Sequence, residues 1–140
     1  MIIDNCTRKW LALPLFETGR RVKSTEIVPI LKSVLPKELQ WLISDNGQQF
    51  ISQNFEKMCQ ERDFIHIRIT PHRPVTNGIA ERAVRTFKEM LFARHWHNVQ
   101  ELQAITEGIL EEYNDRPHQG KELKGLSPNE YERRLLSLNV

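Results

Sequence analysis

Cysteine is scarce in this chain: Cys6 and Cys59 are the only two in 140 residues, 53 positions apart and without a CxxC partner. That spacing excludes a disulfide framework and a structural zinc site, and it predicts two buried, reduced thiols. Long apolar runs are missing too. None approaches the ~20 residues that a bilayer crossing needs, which excludes a membrane-spanning helix. Met1-Ile2-Ile3-Asp4 carries no basic stretch followed by an apolar stretch and a small-residue cleavage site. A signal peptide is therefore not expected, and a cytoplasmic protein is. There is no Gly-rich phosphate loop and no Ser-centred nucleophile elbow. The five histidines, His66, His72, His95, His97 and His118, lack the spacing of a zinc finger.

A surplus of charge is also lacking, with 20 Lys and Arg against 18 Asp and Glu, a net of +2. The distribution is uneven, however. Residues 1–61 are nearly neutral, residues 98–140 are acidic, and residues 62–97 hold seven cations against three acids. That block contains Arg62, Arg68, Arg73, Arg82, Arg85, Lys88 and Arg94. A local basic surface suits a phosphate-backbone partner, and a solvated helix face is the plainer alternative. With 39% hydrophobic residues and this length, the chain can bury one real core, so residues 1–140 are expected to form one domain.

Patterning orders the elements. Residues 1–15 alternate weakly around the polar turn Asp4-Asn5-Cys6-Thr7 and predict a hairpin. From Ser24, an N-cap candidate, Ile27, Val28, Ile30, Leu31, Val34 and Leu35 recur at helical spacing until Pro36. Pro29 fits if that helix starts near Thr25 or Glu26, where N–H groups have no intrahelical partner. Residues 39–44 read as a buried strand running into the turn Asp45-Asn46-Gly47. An amphipathic helix over 50–61 and an alternating strand over 64–69 follow. Residues 70–78 read as a loop, and 79–95 as a strong helix. A second long helix starts at Asn98, with Glu101 three residues on, and ends at Asp115-Arg116-Pro117. Ser127-Pro128-Asn129-Glu130 predicts a short C-terminal helix through its cap residue, its proline and its reciprocal acid.

On the helix from Ile79, a turn of about 100° per residue puts Ala80, Ala83, Val84, Phe87 and Leu91 on one apolar stripe. The polar stripe carries the chemistry. Relative to Glu81, Arg85 lies about 40° to one side, Lys88 about 20° to the other, and Asn77, if helical, about 40° to that other side. A surface Glu–Arg pair is the plainer account of that stripe. Asp45 ends a strand 36 positions before Glu81. Two carboxylates ringed by Arg and Lys suit a divalent cation that must also meet a phosphate.

Ser44-Asp45-Asn46-Gly47-Gln48-Gln49-Phe50, followed by Pro71-His72-Arg73-Pro74-Val75-Thr76-Asn77-Gly78-Ile79-Ala80-Glu81-Arg82, resembles the catalytic core of DDE transposases and retroviral-type integrases. Asp45 matches that family's second catalytic aspartate and Glu81 its glutamate, with 35 residues between them. Tyr113-Asn114, Arg116-Pro117-His118 and Leu126-Ser127-Pro128 with Glu130 resemble the tail of bacterial insertion-element transposases. The resemblance implies an α/β fold of the ribonuclease H-like type, a mixed sheet flanked by helices. It also implies Mg²⁺ or Mn²⁺ held by three carboxylates, DNA ends and target DNA as partners, and a homo-oligomer. Asp45 and Glu81 are then the metal-binding catalytic acids, and Asn77, Arg85, Lys88, His72 and Arg73 are DNA contacts.

The resemblance implies a first aspartate on a strand before the hairpin. The chain is therefore expected to lack its first strand, to be incomplete at the N-terminus and to be impaired in strand transfer. Asp4 follows the family's second strand, and its expected work is structuring the turn. A non-catalytic DNA-binding or dimerising remnant of a mobile element is the alternative from another class, and a hydrolytic nuclease of the same fold is a third.

Overall fold

In the computed structural model, residues 1–17, 19–69 and 74–139 are described, without the side chains of 74–77. Two compact units divide the chain: Met1–Leu15 with Ile79–Val140, and Phe16–Gly78. No helix among the described residues is long and apolar enough to cross a membrane.

In the first unit, β1 (Ile2–Ile3) pairs antiparallel with β2 (Trp10–Ala12), with Ile2 opposite Ala12 and Ile3 opposite Trp10. The expected hairpin is present, and Asp4 closes it. Its Oδ1 accepts from the Cys6 N–H at 2.9 Å, and its Oδ2 accepts from the Thr7 hydroxyl at 2.6 Å. Arg8 adopts φ 62°, which brings its N–H to the Asp4 carbonyl at 2.9 Å. Ion pairs from Lys9 to Glu132 at 2.7 Å and from Arg8 to Glu122 at 3.3 Å tie this turn to the C-terminal segment.

Helix α3 (Pro74–Phe92) begins earlier than its periodicity suggests, so residues 74–78 are helical where a loop was expected. Proline presets φ for a first helical residue, which the reading of this stretch as turn chemistry overlooked. Its buried stripe is also rotated: Ala83 and Met90 are buried, with Phe87 and Leu91 packed beside them. Ala80 and Val84, expected in the core, are exposed. Helix α4 (Val99–Asp115) is capped as expected, with the Asn98 side chain accepting from the Glu101 N–H at 2.8 Å. The Glu101 carboxylate reaches one residue further back than a capping box would, accepting from the His97 N–H at 2.7 Å. Helix α5 (Pro128–Leu138) carries the full box: Ser127 Oγ accepts from the Glu130 N–H, and Glu130 Oε2 accepts from the Ser127 N–H at 2.8 Å.

The core of this unit is Trp10, Ala83, Met90 and Ile109. Trp10, 1% exposed, stacks on Tyr113 with centroids 3.7 Å apart and planes 7° apart. Asn114 holds the Trp10 backbone at both ends. Its Oδ1 accepts from the Trp10 N–H and its Nδ2 donates to the Trp10 carbonyl, each at 2.9 Å. His118 contacts the Tyr113 ring and its carbonyl oxygen, with Nε2 2.9 Å from that oxygen.

In the second unit, α1 (Ser24–Val34) and α2 (Gln53–Arg62) accompany a parallel pair, β3 (Trp41–Ser44) and β4 (Ile65–Arg68), in the register Trp41 opposite Ile65 through Ser44 opposite Arg68. The antiparallel pair of the first unit and the parallel pair of the second are two separate two-stranded sheets. Lys23, not Ser24, is the N-cap of α1, and the Glu26 carboxylate accepts from the Lys23 N–H at 2.7 Å. Pro29 is consequently the sixth helical residue rather than a first-turn one, and its ring sits on the exposed side. Burial of Val28 and Leu31 on the opposite side, together with Leu35 just beyond the helix, offsets the lost backbone bond. Phe55, Met58, Cys59 and Phe64 complete this core.

The strand at 39–44 was expected to be buried. Trp41, Ile43, Ile65 and Ile67 instead share one exposed face, with Trp41 54% and Ile65 56% exposed. Only the opposite face, with Leu42, Ser44 and His66, is half-buried, and His66 lies against Phe55 at 4.7 Å. An apolar run predicts two covered faces, whereas the helical layer of this unit covers one. Of the two thiols, Cys59 is buried and Cys6 is exposed, because the hairpin turn carries Cys6 outward.

Candidate functional site

Asp45 ends β3 in a turn braced on all sides. Its Oδ1 accepts from the Gly47 N–H at 2.9 Å, and its carbonyl accepts from the Ser44 hydroxyl at 2.8 Å. Asn46 Nδ2 donates to the Ile69 carbonyl at 3.1 Å, and the Ile69 N–H donates to the Ser44 carbonyl at 2.9 Å. The next residues wind into a short 3-10 turn, Gln48–Phe50, whose Phe50 stands edge-on to Phe55. Asp45 itself is exposed. His66, opposite Leu42 in the parallel ladder and so two residues off Ser44, sets Nε2 2.8 Å from Ser44 Oγ. Burial pushes the His66 pKa down, and Arg68 adds to the shift.

Glu81, Arg85 and Lys88 occupy one surface of α3, as the helical wheel predicts. With Val84, Glu89 and Phe92 they line a groove of about 320 Å³. Phe92 is 76% exposed at its end. Among the described residues, none of Glu81, Arg85 and Lys88 is in an ion pair. The plainer Glu81–Arg85 pair is therefore not formed, and an acid sits beside two cations with all three open to solvent.

The basic block separates by use. Arg62 donates to the Lys32, Leu35 and Pro36 carbonyls at 2.9 to 3.1 Å, closing the C-terminal end of α1. Arg94 joins the Met90 carbonyl to the Glu112 carboxylate, bracing α3 against α4. Arg82, Arg85 and Lys88 stay exposed on α3. Asn77 is helical, but its side chain lies outside the described residues, as do His72 and Arg73 altogether. Asp45 belongs to the second unit and Glu81 to the first.

The Asp45 carboxylate, with Oδ1 held by a backbone N–H and Oδ2 without a partner among the described residues, fits a hard divalent cation in donor chemistry. Among the described residues, no three His, Cys, Asp or Glu side chains converge as a ready-made cage. Asp4 is committed to its turn through both oxygens. The Ser44–His66 contact was not anticipated. Alternation in residues 64–69 put His66 on a strand, but only the register with β3 reveals its partner.

Residues 62–128 match the family described as Integrase core domain, a stretch that includes Glu81 and leaves Asp45 outside. The Intracisternal A-particle Pol-related polyprotein of mouse intracisternal A-particle MIA14 is 33% identical over 94 residues, covering 64% of this chain and 10% of that protein. The Retrovirus-related Pol polyprotein from transposon TNT 1-94 of Nicotiana tabacum is 40% identical over 82 residues, covering 59% of this chain and 5% of that protein. The chain thus spans a tenth or less of these curated relatives. The crystal structure of the catalytic core domain of BIV integrase superposes with a TM-score of 0.63 at 22% identity, over 84% of this chain and 76% of that one. The fold is that of a retroviral integrase catalytic core.

Proposed function

We propose that this chain is the catalytic core of a DNA-integrating enzyme of the DDE transposase and integrase type, acting in the cytoplasm on mobile-element ends and target DNA as a homo-oligomer. The single domain over 1–140 and the affinity to bacterial insertion-element transposases belong to the same proposal. The observation that carries it is the α3 groove: Glu81 beside Arg85 and Lys88, none of them in an ion pair among the described residues. A stable surface helix gains from pairing such charges. Leaving them open suits a face that awaits a phosphodiester and a cation.

Asp45 and Glu81 would hold Mg²⁺ or Mn²⁺, which when bound supplies activation of the attacking hydroxyl and charge neutralisation at phosphorus. The residues around them do the rest. Arg85 and Lys88 grip phosphate oxygens and fix the register of the DNA, and Asn77, His72 and Arg73 belong to the same proposal as further DNA contacts. Phe92, exposed at the end of the groove, offers an apolar edge to the same strand.

On this reading Asp45 and Glu81 are two of the three acids that the resemblance implies, and the two hydrogen bonds that Asp4 accepts within its turn support leaving it out of the metal site. We therefore expect strand transfer by this polypeptide alone to be severely reduced. The same commitment of Asp4 favours the second reading, a DNA-binding or dimerising remnant. A strand-transfer assay with a labelled element end in Mg²⁺ and Mn²⁺ separates the two. Residual activity lost in both Asp45→Asn and Glu81→Gln supports the enzyme. Activity that survives either substitution overturns the assignment of that acid, and salt-sensitive DNA binding without turnover supports the remnant.

A further inference from the structure

We infer that His66 and Ser44 are positioning residues for Asp45, forming a relay from His66 Nε2 through the Ser44 hydroxyl to the Asp45 carbonyl. The relay fixes the turn so that Asp45 presents its Oδ2 to a divalent cation. It rests on the reading of Asp45 as a metal ligand.

The direction of the relay follows from proton counting. Ser44 Oγ lies 2.8 Å from the Asp45 carbonyl and 2.8 Å from His66 Nε2. A carbonyl can only accept, so the one hydroxyl proton goes to it. The Ser44 lone pairs then face His66, which must donate from Nε2 and hold its proton there. The ring is fixed in place by Phe55, at 4.7 Å and tilted by 54°.

Three anchors then act on one residue. The relay orients the Asp45–Asn46 peptide, Asn46 Nδ2 ties the next residue to Ile69, and the Gly47 N–H takes Asp45 Oδ1. Oδ1 is occupied, and Oδ2 has no partner among the described residues. A carboxylate held this way enters coordination without first losing backbone and χ1 freedom, which is how surrounding hydrogen bonds strengthen a metal ligand. Neighbouring bonds of the relay also polarise one another.

The test uses the whole 140-residue chain with three substitutions and two readouts. Ser44→Ala removes a single hydroxyl. His66→Phe keeps the ring against Phe55 but loses Nε2, and His66→Gln replaces Nε2 with an amide at a similar reach. Without metal, hydrogen exchange of the Gly47 amide reports the Asp45 bond. We expect about tenfold faster exchange in Ser44→Ala and His66→Phe, with β3 and β4 amides unchanged and His66→Gln near wild type. Mn²⁺ alone, followed by paramagnetic broadening around Asn46 and Gly47, should bind several-fold more weakly in the first two variants and recover in His66→Gln.

Unchanged Gly47 exchange in a folded Ser44→Ala protein overturns the positioning role. So does acceleration spread evenly over the β3–β4 pair, which marks a general packing role. If Asp45→Asn leaves Mn²⁺ broadening intact, the ligand reading of Asp45 fails, and the exchange data still judge the relay independently.

Discussion

Replacing Asn114 by Ala removes two buried hydrogen bonds that link α4 to a strand 104 positions earlier, both 2.9 Å long and both to the backbone of Trp10. Each bond contributes about 1 kcal/mol net, but the larger loss comes from what is left behind. The Trp10 N–H and C=O stay buried without partners, each costing about 1–3 kcal/mol unless water enters. A destabilisation of about 2–4 kcal/mol follows for the unit formed by Met1–Leu15 and Ile79–Val140. For a unit of this size that lowers Tm by at least about 8 °C. Urea unfolding followed by far-ultraviolet circular dichroism measures it. Asn129→Ala is the control, because Asn129 donates to Asp115 in exposed surroundings and should change stability by less than about 0.5 kcal/mol. Asn114→Asp should be no better than Ala, since a carboxylate would face the Trp10 carbonyl with an oxygen. If Asn114→Ala stays within about 0.5 kcal/mol of wild type, the clamp is not what joins strand to helix.

Three further outcomes are expected. Arg85→Ala and Lys88→Ala should each weaken DNA binding and lower the slope of log affinity against log salt by about 1, whereas Arg62→Ala, whose guanidinium caps α1, should lower stability and leave the slope unchanged. Trp10→Ala should cost about 3–5 kcal/mol, but Trp10→Phe much less, because Trp10 Nε1 is buried without a well-formed hydrogen bond among the described residues and its removal offsets part of the lost volume. Acid should loosen the C-terminal segment. The Glu130 carboxyl is held low by its bond to the Ser127 backbone and then by the Ser127 hydroxyl, and Glu122 by its own backbone N–H and then by Arg8. Folded values below the unfolded value of about 4.3 give stability that is present above that pH and lost as pH falls through the folded values. Helicity measured from pH 6 to 3 should therefore start lower in Glu130→Gln and fall less steeply, because that variant lacks the titrating charge.

Local signals were the legible part of the fold. Both caps at Asn98 and Ser127 and the Asp4 turn that closes the hairpin are each settled within four residues of chain, so their chemistry is visible in order. Where the chain must choose between local options, tertiary context decided. Pro29 sits in the interior of α1 because Val28 and Leu31 on that helix are buried. Pro74 opens α3 although the residues around it carry every turn signal. The stripe of α3 is right at Ala83, Phe87 and Leu91 and wrong at Ala80 and Val84, which are apolar enough to score, whereas Met90 joins Ala83 in the cluster with Trp10 and Ile109.

The site divides in the same way. Glu81, Arg85 and Lys88 are on one helix, so a wheel drawn from the sequence brings them together, and the groove does the same. The Asp45 turn owes its order to register across β3 and β4, which no spacing reveals. Net charge misleads in a related manner. Arg62 and Arg94 add to the positive count of residues 62–97, but their donors are already spent on carbonyls and on Glu112, whereas Arg85 and Lys88 are in no ion pair among the described residues. The motif Tyr113-Asn114 with His118 carries the same lesson in reverse. It reads as part of a functional signature, yet Tyr113 stacks on Trp10, Asn114 clamps its backbone and His118 closes on Tyr113. A residue type recurring with a chemistry can serve by holding the scaffold. What separates the two roles is whether its polar atoms are already satisfied by the protein or still open to a ligand.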